Sequence, residues 1–365
     1  MRQAGEFMNR AVLTAAILAA VWATCAQSAD ANLTDVLDRP AMQSPLAAKK
    51  LLLAVARTGD RLVAVGPRGH IVVSTDAGAT WQQAQVPVSS DLTAVHFPGP
   101  KVGWAVGHDG VVLATTDGGV TWTKQLDGRA VNDLILADAR KKLAASPDSA
   151  ELQTLVAEAE RNEASGPDKP FLDVWFENET TGYVVGAYNL LLRTDDGGQT
   201  WQSWFDRTEN PRFMNLYSIR PAAGALYIAG EGGTVLKLDP AAQRFVAVPV
   251  DYAGSMFGVA DAGSAVIVYG LRGNAFRSTD GGATWTRVDT GLPASIIGGT
   301  GIGGVAIALA DQGGRLAVSS DGGVTFSLLP VQRTVPLTSI ADAGAGRLAV
   351  TGPFGVMVVA PDAPR

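Results

Sequence analysis

Cysteine is almost missing from this chain of 365 residues; Cys25 is the only one. It falls in an N-terminal stretch that reads as a targeting segment. Arg10 supplies the positive start, Ala11 to Thr24 forms an apolar run short for a membrane span, and Cys25-Ala26-Gln27-Ser28-Ala29 offers the small residues signal peptidase takes. Residues 1–29 are therefore expected to be a cleaved signal peptide, leaving a secreted, periplasmic chain with neither disulfides nor thiol chemistry. Lipid attachment at Cys25 is disfavoured, because Thr24 before it is bulky and Trp22 stands where Leu is usual.

Histidine is scarce too. No spacing among His70, His96 and His108 suits metal ligation, so neither a metal nor another cofactor is expected. No long apolar run follows Thr24, which predicts a soluble mature chain, taken as a monomer, with no membrane span. Lys and Arg number 29 against 35 Asp and Glu, a formal charge of −6, and no basic cluster stands out to track phosphates. Nucleic acid is excluded as a partner on that ground.

Glycine is plentiful, 42 residues, and falls in a pattern. The phrase STDGGATW at Ser278 to Trp285 recurs as STDAGATW from Ser74, TTDGGVTW from Thr115, TDDGGQTW from Thr194 and SSDGGVTF from Ser319. A residue needed once for catalysis does not come in five copies, so Asp76, Asp117, Asp196, Asp280 and Asp321 are assigned to architecture. A short acid can accept backbone N–H groups in its own turn, glycine takes the positive φ, threonine adds a local bond, and the aromatic fills a wedge between sheets.

The closing aromatics, Trp81, Trp122, Trp201, Trp285 and Phe326, stand 41, 79, 84 and 41 residues apart. The 84 divides if Lys237-Leu238-Asp239 with Phe245 is a decayed copy, and the 79 holds one repeat plus an insertion. A Gly-bounded turn precedes each copy, from Gly66-Pro67-Arg68-Gly69 to Gly352-Pro353-Phe354-Gly355, seven in all, each joining two short β-type runs. With one apolar run before and one after, the unit is four strands in about 41 residues, the period of a β-propeller blade. The expected fold is all-β: a seven-bladed propeller over residues 30–365. The last unit stops after three strands, so Asn32 to Val36 is expected to supply its fourth.

The insertion, residues 130–170, shifts to Ala, Leu, Glu, Lys and Arg, strong helix formers. Leu134, Ile135 and Leu143 mark one apolar stripe; Leu152, Leu155, Val156 and Ala159 mark another after Ser146-Pro147-Asp148, an N-terminal signature. An αα-hairpin standing on the ring is expected, ended by Gly166-Pro167.

The phrase Ser/Thr-x-Asp-Gly/Ala-Gly-x-Thr-Trp/Phe resembles the Asp-box, or bacterial neuraminidase repeat. Its regular period, with Gly-bounded turns and a signal peptide, is similar to the photosystem II stability/assembly factor-like family over about residues 49–361, the insertion excepted. That resemblance implies a non-enzymatic propeller that assists an envelope membrane protein complex. In photosynthetic lineages such proteins help assemble a membrane complex, and bacterial relatives accompany resistance-nodulation-division exporters. Sialidases share the repeat, so a glycan-active or glycan-binding propeller is the alternative. It lacks the Arg-Ile/Leu-Pro element near the first blade, and its candidate arginines, Arg68, Arg212 and Arg272, serve equally as solvated turn residues. Asp109, Glu231, Asp251 and Asp311 are the carboxylates that such chemistry would draw on.

Connectivity sorts the loops. The turn between strands two and three lies on the same face as the link between blades, and the Asp-boxes lie on the other. The candidate partner-binding face therefore collects Arg68, His108, Asp109, Tyr188, Arg207, Arg212, Phe213, Glu231, Tyr252, Arg272, Arg333 and Phe354. These positions differ from copy to copy, as recognition requires. No catalytic residue is assigned.

Overall fold

The computed structural model describes residues 34–331 and 334–360. Seven antiparallel sheets follow one another along the chain, at 54–83, 92–126, 171–203, 216–247, 256–288, 296–329 and 339–359. Within each, strands pair in sequence order, as Ala54–Thr58, Arg61–Val65, Ile71–Ser74 and Gln82–Gln83 do in the first. The first strand of every sheet touches that of the next, and the first strand of blade 7 touches that of blade 1, which closes a seven-bladed ring. Each blade is covered on both faces by its neighbours, so its second strand reads as a continuous apolar run; Leu62, Val63, Ala64 and Val65 are all buried.

The box aromatics sit between blades as expected. Trp122 joins the core shared by blades 1 and 2, Trp201 that of blades 2 and 3, Trp285 that of blades 4 and 5, and Phe326 that of blades 5 and 6. Phe245 of the decayed copy does the same between blades 3 and 4, and Asp239 ties its turn by accepting the Ala241 and Ala242 amides at 2.9 and 3.0 Å. In every full copy the aspartate binds within its own turn. Asp280 Oδ1 accepts Ser278 Oγ at 2.7 Å and the Thr284 amide at 2.9 Å, while Oδ2 accepts the Thr284 hydroxyl at 2.6 Å. Bonds from the Thr80 and Thr200 hydroxyls and amides hold Asp76 and Asp196 at about 2, below the usual 3.8. Asp280 and Asp321 are lowered in the same way by Thr284 and Thr325. At Asp117 burial pushes upward and the Thr121 bonds outweigh it.

The seam departs from expectation. Among the described residues blade 7 has three strands. Asn32 and Leu33 lie outside the described residues, and Val36 is not at blade 7: its carbonyl accepts the Ser89 amide at 2.8 Å. Leu37 is buried in the core of blades 1 and 2, and Lys124 Nζ caps its carbonyl at 2.8 Å. Val36 and Leu37 sit in a turn whose apolar side chains fill the blade 1–2 groove. Other contacts close the ring: the Leu52 amide donates to the Gly352 carbonyl at 3.2 Å, and Ala47 and Ala48 pack with Val356 and Val358. Trp81 packs with Val356 and Val358 of blade 7, Thr338 Oγ1 donates to the Leu52 carbonyl at 2.6 Å, and Arg57 pairs with Asp342 at 3.1 Å.

The insertion forms helices α1 (Gly128–Ala145) and α2 (Ala150–Ser165). Asp127 caps α1 through the Arg129 amide, and Gly166, at φ +84, ends α2. The second cap is Ser149, three residues later than expected. Ser146 instead ends α1, since the residue before Pro147 is disfavoured from helical geometry. Nor does the hairpin stand free. Val131, Ile135, Leu136, Ala139, Leu155 and Ala159 share one core with Phe171, Leu190 and Phe205 of the blades, and Lys142 pairs with Asp206 at 2.7 Å. Both apolar stripes are therefore consumed against the ring.

Candidate functional site

The Gly-bounded turns between strands two and three share a face with the inter-blade links, and hydrogen bonds join them. Asp91, Asn215 and Ser295 each stand one residue before a blade's first strand. Their carbonyls accept from the turn of their own blade, at His108, Glu231 and Gln312 (2.8–2.9 Å). Their side chains accept from the turn of the preceding blade, at the amides of Arg68 (2.8 Å), Tyr188 (2.9 Å) and Arg272 (3.2 Å). Sequence reasoning missed these three. The signal was a polar residue recurring immediately before the first apolar strand, as in DLTAV, NLYSI and SIIGG.

These bonds fix the turn backbone in an unusual state. Arg68, Asp109, Tyr188 and Arg272 have φ of 59, 58, 53 and 58°, in the left-handed region that non-glycine residues rarely enter. Blade 4 has Gly232 at the same position, φ 61°. The geometry thus serves any side chain but suits glycine best, and four blades nonetheless present a side chain there. Tyr188 is 56% exposed with Lys169 Nζ 5.4 Å over its ring, and Phe354 is 65% exposed on the blade 7 turn. His108 and Arg212 are exposed, with Arg212 lying over the Glu231–Gly233 turn. Asp109 accepts the Ser90 hydroxyl at 2.7 Å, and Glu231 accepts the Asn215 amide at 3.3 Å.

The other candidates divide differently. Phe213 stacks on Phe205 at 5.4 Å, and Tyr252 donates to the Leu271 carbonyl at 3.0 Å, so both are bound into the framework. Arg207 leaves this face. Its guanidinium lies 4.9 Å over Trp204 and donates to the Gln243 carbonyl at the opposite-face turn of blade 4, while its own carbonyl accepts the Phe245 amide at 2.8 Å. The link between blades 3 and 4 pairs along the outer strand Arg244–Ala247 and carries Arg207 to the rim. Arg333 lies outside the described residues.

A central cavity of about 760 Å³ runs between the first strands. In blades 2 to 6 a register shift opens the start of the first strand, at Thr93, Leu172, Tyr217, Phe257 and Ile297, and all five line the cavity. Deeper along the strands sit His96, Asp173 and Arg220. Arg220 Nη1 donates to Asp173 Oδ2 at 2.7 Å, and the same oxygen accepts the Ile219 amide at 2.9 Å. The Phe176 amide donates to His96 Nδ1 at 3.2 Å. Burial, with the Arg220 charge adding to it, lowers His96 to about 3, so the ring is neutral and carries its proton on Nε2. Among the described residues no cluster of three His, Cys, Asp or Glu is placed to hold a metal, and no helix is long and apolar enough to cross a membrane.

A family model described as "Photosynthesis system II assembly factor YCF48" matches residues 73–140 and 160–339, interrupted at the hairpin. The photosystem II assembly lipoprotein Ycf48 of Synechococcus sp. (strain CC9902) is 28% identical over 157 residues, which span 42% of this chain and 35% of that relative. Among solved structures, YCF48 bound to D1 peptide superposes with a TM-score of 0.61 at 17% identity, covering 87% of this chain and 94% of the other. YCF48 from Cyanidioschyzon merolae gives 0.61 at 18% identity, covering 88% and 99%. The WD40 propeller domain of Doa1 gives 0.59 at 8% identity, covering 89% and 96%, a likeness of fold alone.

Proposed function

Because the chain belongs to the photosynthesis system II assembly factor YCF48 family, we propose that it is a non-enzymatic assembly factor whose Gly-turn face docks an envelope membrane protein. The observation that carries this reading is the left-handed backbone at Arg68, Asp109, Tyr188 and Arg272, which presents side chains where glycine would fit without strain. A relative solved with D1 peptide bound supports a polypeptide as the docked partner. The protein is exported by residues 1–29, works as a monomer in the periplasm, and has a resistance-nodulation-division exporter as a fitting client. The hairpin broadens the docking face with its outer, charged side, since its apolar side is already covered. The glycan-active alternative gains no support from the turns, where Asp109, Glu231 and Asp311 are each bonded to groups nearby in their own blade or link.

Photo-crosslinking decides it. A crosslinker at Tyr188 or Phe354 should trap one membrane protein in cell envelopes, and the same group at Val120 or Val324, on the Asp-box turns, should not. Equal trapping from both faces would refute the docking face.

A further inference from the structure

The central cavity holds chemistry that the docking face does not use. Its charges look balanced, Arg57 with Asp342 and Arg220 with Asp173, but their hydrogen-bonding capacity is not. Asp173 is buried with both oxygens engaged: Oδ1 accepts the Val174 amide at 2.9 Å, and Oδ2 accepts both the Ile219 amide and Arg220. Asp342 Oδ1 likewise accepts the Gly344 amide at 2.9 Å while Oδ2 meets Arg57. Arg220 reaches all three of its protein acceptors, Asp173 Oδ2 and the Val174 and Ile219 carbonyls, through Nη1 alone. Its Nη2 and Nε are left with N–H groups and no acceptor among the described residues. His96 adds a second donor, Nε2–H, because its Nδ1 is taken by Phe176. The wall therefore offers Arg220 Nε and Nη2 and His96 Nε2 as donors that no acceptor among the described residues takes, while every oxygen of Asp173 and Asp342 already holds a bond, which favours an anion.

The mouth selects what the anion is attached to. Leu172, Tyr217, Phe257 and Ile297 form an apolar arc over blades 3 to 6, with the Tyr217 and Phe257 rings in edge contact at 5.5 Å. On the other side Thr93 and Thr338 turn their hydroxyls into the wall, donating to the Phe171 and Leu52 carbonyls at 2.7 and 2.6 Å. A volume of about 760 Å³ suits a few residues or a small organic acid.

We infer that the channel is a receptor for a carboxylate borne on an apolar group, with Arg220 and His96 as donors and the Tyr217–Phe257 arc holding the apolar part. The occupant that fits the assembly reading is the C-terminal end of an extended polypeptide, and that identification rests on the proposed function. A free carboxylic acid would present the same chemistry.

Calorimetric titration of the full chain tests it with three probes: acetyl-Ala-Ala-Leu with a free carboxylate, the same peptide as its C-terminal amide, and hexanoate. Losing charge-assisted bonds at a partly buried site is expected to weaken the amide about tenfold or more relative to the acid. Arg220→Lys keeps a cation beside Asp173 but removes the planar fork whose Nε and Nη2 face the cavity, so it should abolish the preference for the acid while circular dichroism shows the fold retained. Tighter binding of the free-acid peptide than of hexanoate supports a chain terminus; equal binding supports the carboxylate site with a free acid as its ligand. Acid and amide binding equally, neither binding, or Arg220→Lys retaining the preference would overturn the inference. The crosslinking outcome on the outer face is independent of all three, so the failure of either reading can be told from the other.

Discussion

Replacing Arg68, Tyr188 and Arg272 by glycine should make the ring more stable and less able to hold its partner. All three sit near φ +55°, where a non-glycine residue is disfavoured by about 1–2 kcal/mol. Glycine gives back roughly 0.5–1 kcal/mol of that through its greater freedom in the unfolded chain. Arg68 and Arg272 should thus each gain about 0.5–1 kcal/mol on this balance. Tyr188 also loses its contact with Lys169, worth about 0.5 kcal/mol or more at an exposed site, and should be near neutral. The sites lie on blades 1, 3 and 5 and share no contacts, so the effects should add to about 1–2 kcal/mol. With a urea slope of about 3 kcal/mol per molar, the unfolding midpoint should rise by about 0.5 M. Crosslinking from Phe354 should fall in the same variant. A lowered midpoint would show that the side chains are structural, and undiminished crosslinking would show that the left-handed positions do not serve recognition.

Three more outcomes follow from the framework. Asp76 and Asp196 are depressed to about 2 by Thr80 and Thr200, so the stability they contribute is complete above 3.8 and is lost as pH falls through about 2. Thr80→Ala with Thr200→Ala should move that loss to higher pH in an acid titration followed by tryptophan fluorescence; an unmoved acid midpoint would count against the box geometry. Trp122→Ala, which empties a buried site in edge contact with Phe97, should cost about 3–5 kcal/mol by urea denaturation. At the seam, Thr338→Val removes the bond to Leu52 and should destabilise by about 1 kcal/mol or a little more; hydrogen exchange should quicken first at blades 1 and 7, and uniform quickening would argue against this bond as a local tie of the seam.

The repeat was legible because every blade carries its own turn chemistry. An aspartate that binds its own backbone two to four residues on leaves its signature in local sequence, and so does the aromatic that fills the next wedge. Even the degenerate Asp239 copy was visible for this reason. What stayed hidden was pairing between distant parts. Val36 had the composition of a fourth strand, but which edge receives such a stretch depends on grooves that exist only after folding. Arg207 was misplaced by the same logic, since connectivity assigned its loop to one face while Trp204 and the outer strand of blade 4 drew it to the rim. The donor pair His96 and Arg220 had no pattern at all: 124 residues apart (220 − 96), they meet only because the ring brings first strands together.

Asp91, Asn215 and Ser295 each grip two successive turns at once. A rim knotted in this manner holds its contour before any visitor arrives, so little freedom is surrendered on contact and a modest number of side chains can suffice for a firm grip. It also means that evolution can exchange the side chain at a turn without disturbing the backbone beneath, retuning what the ring recognises one blade at a time.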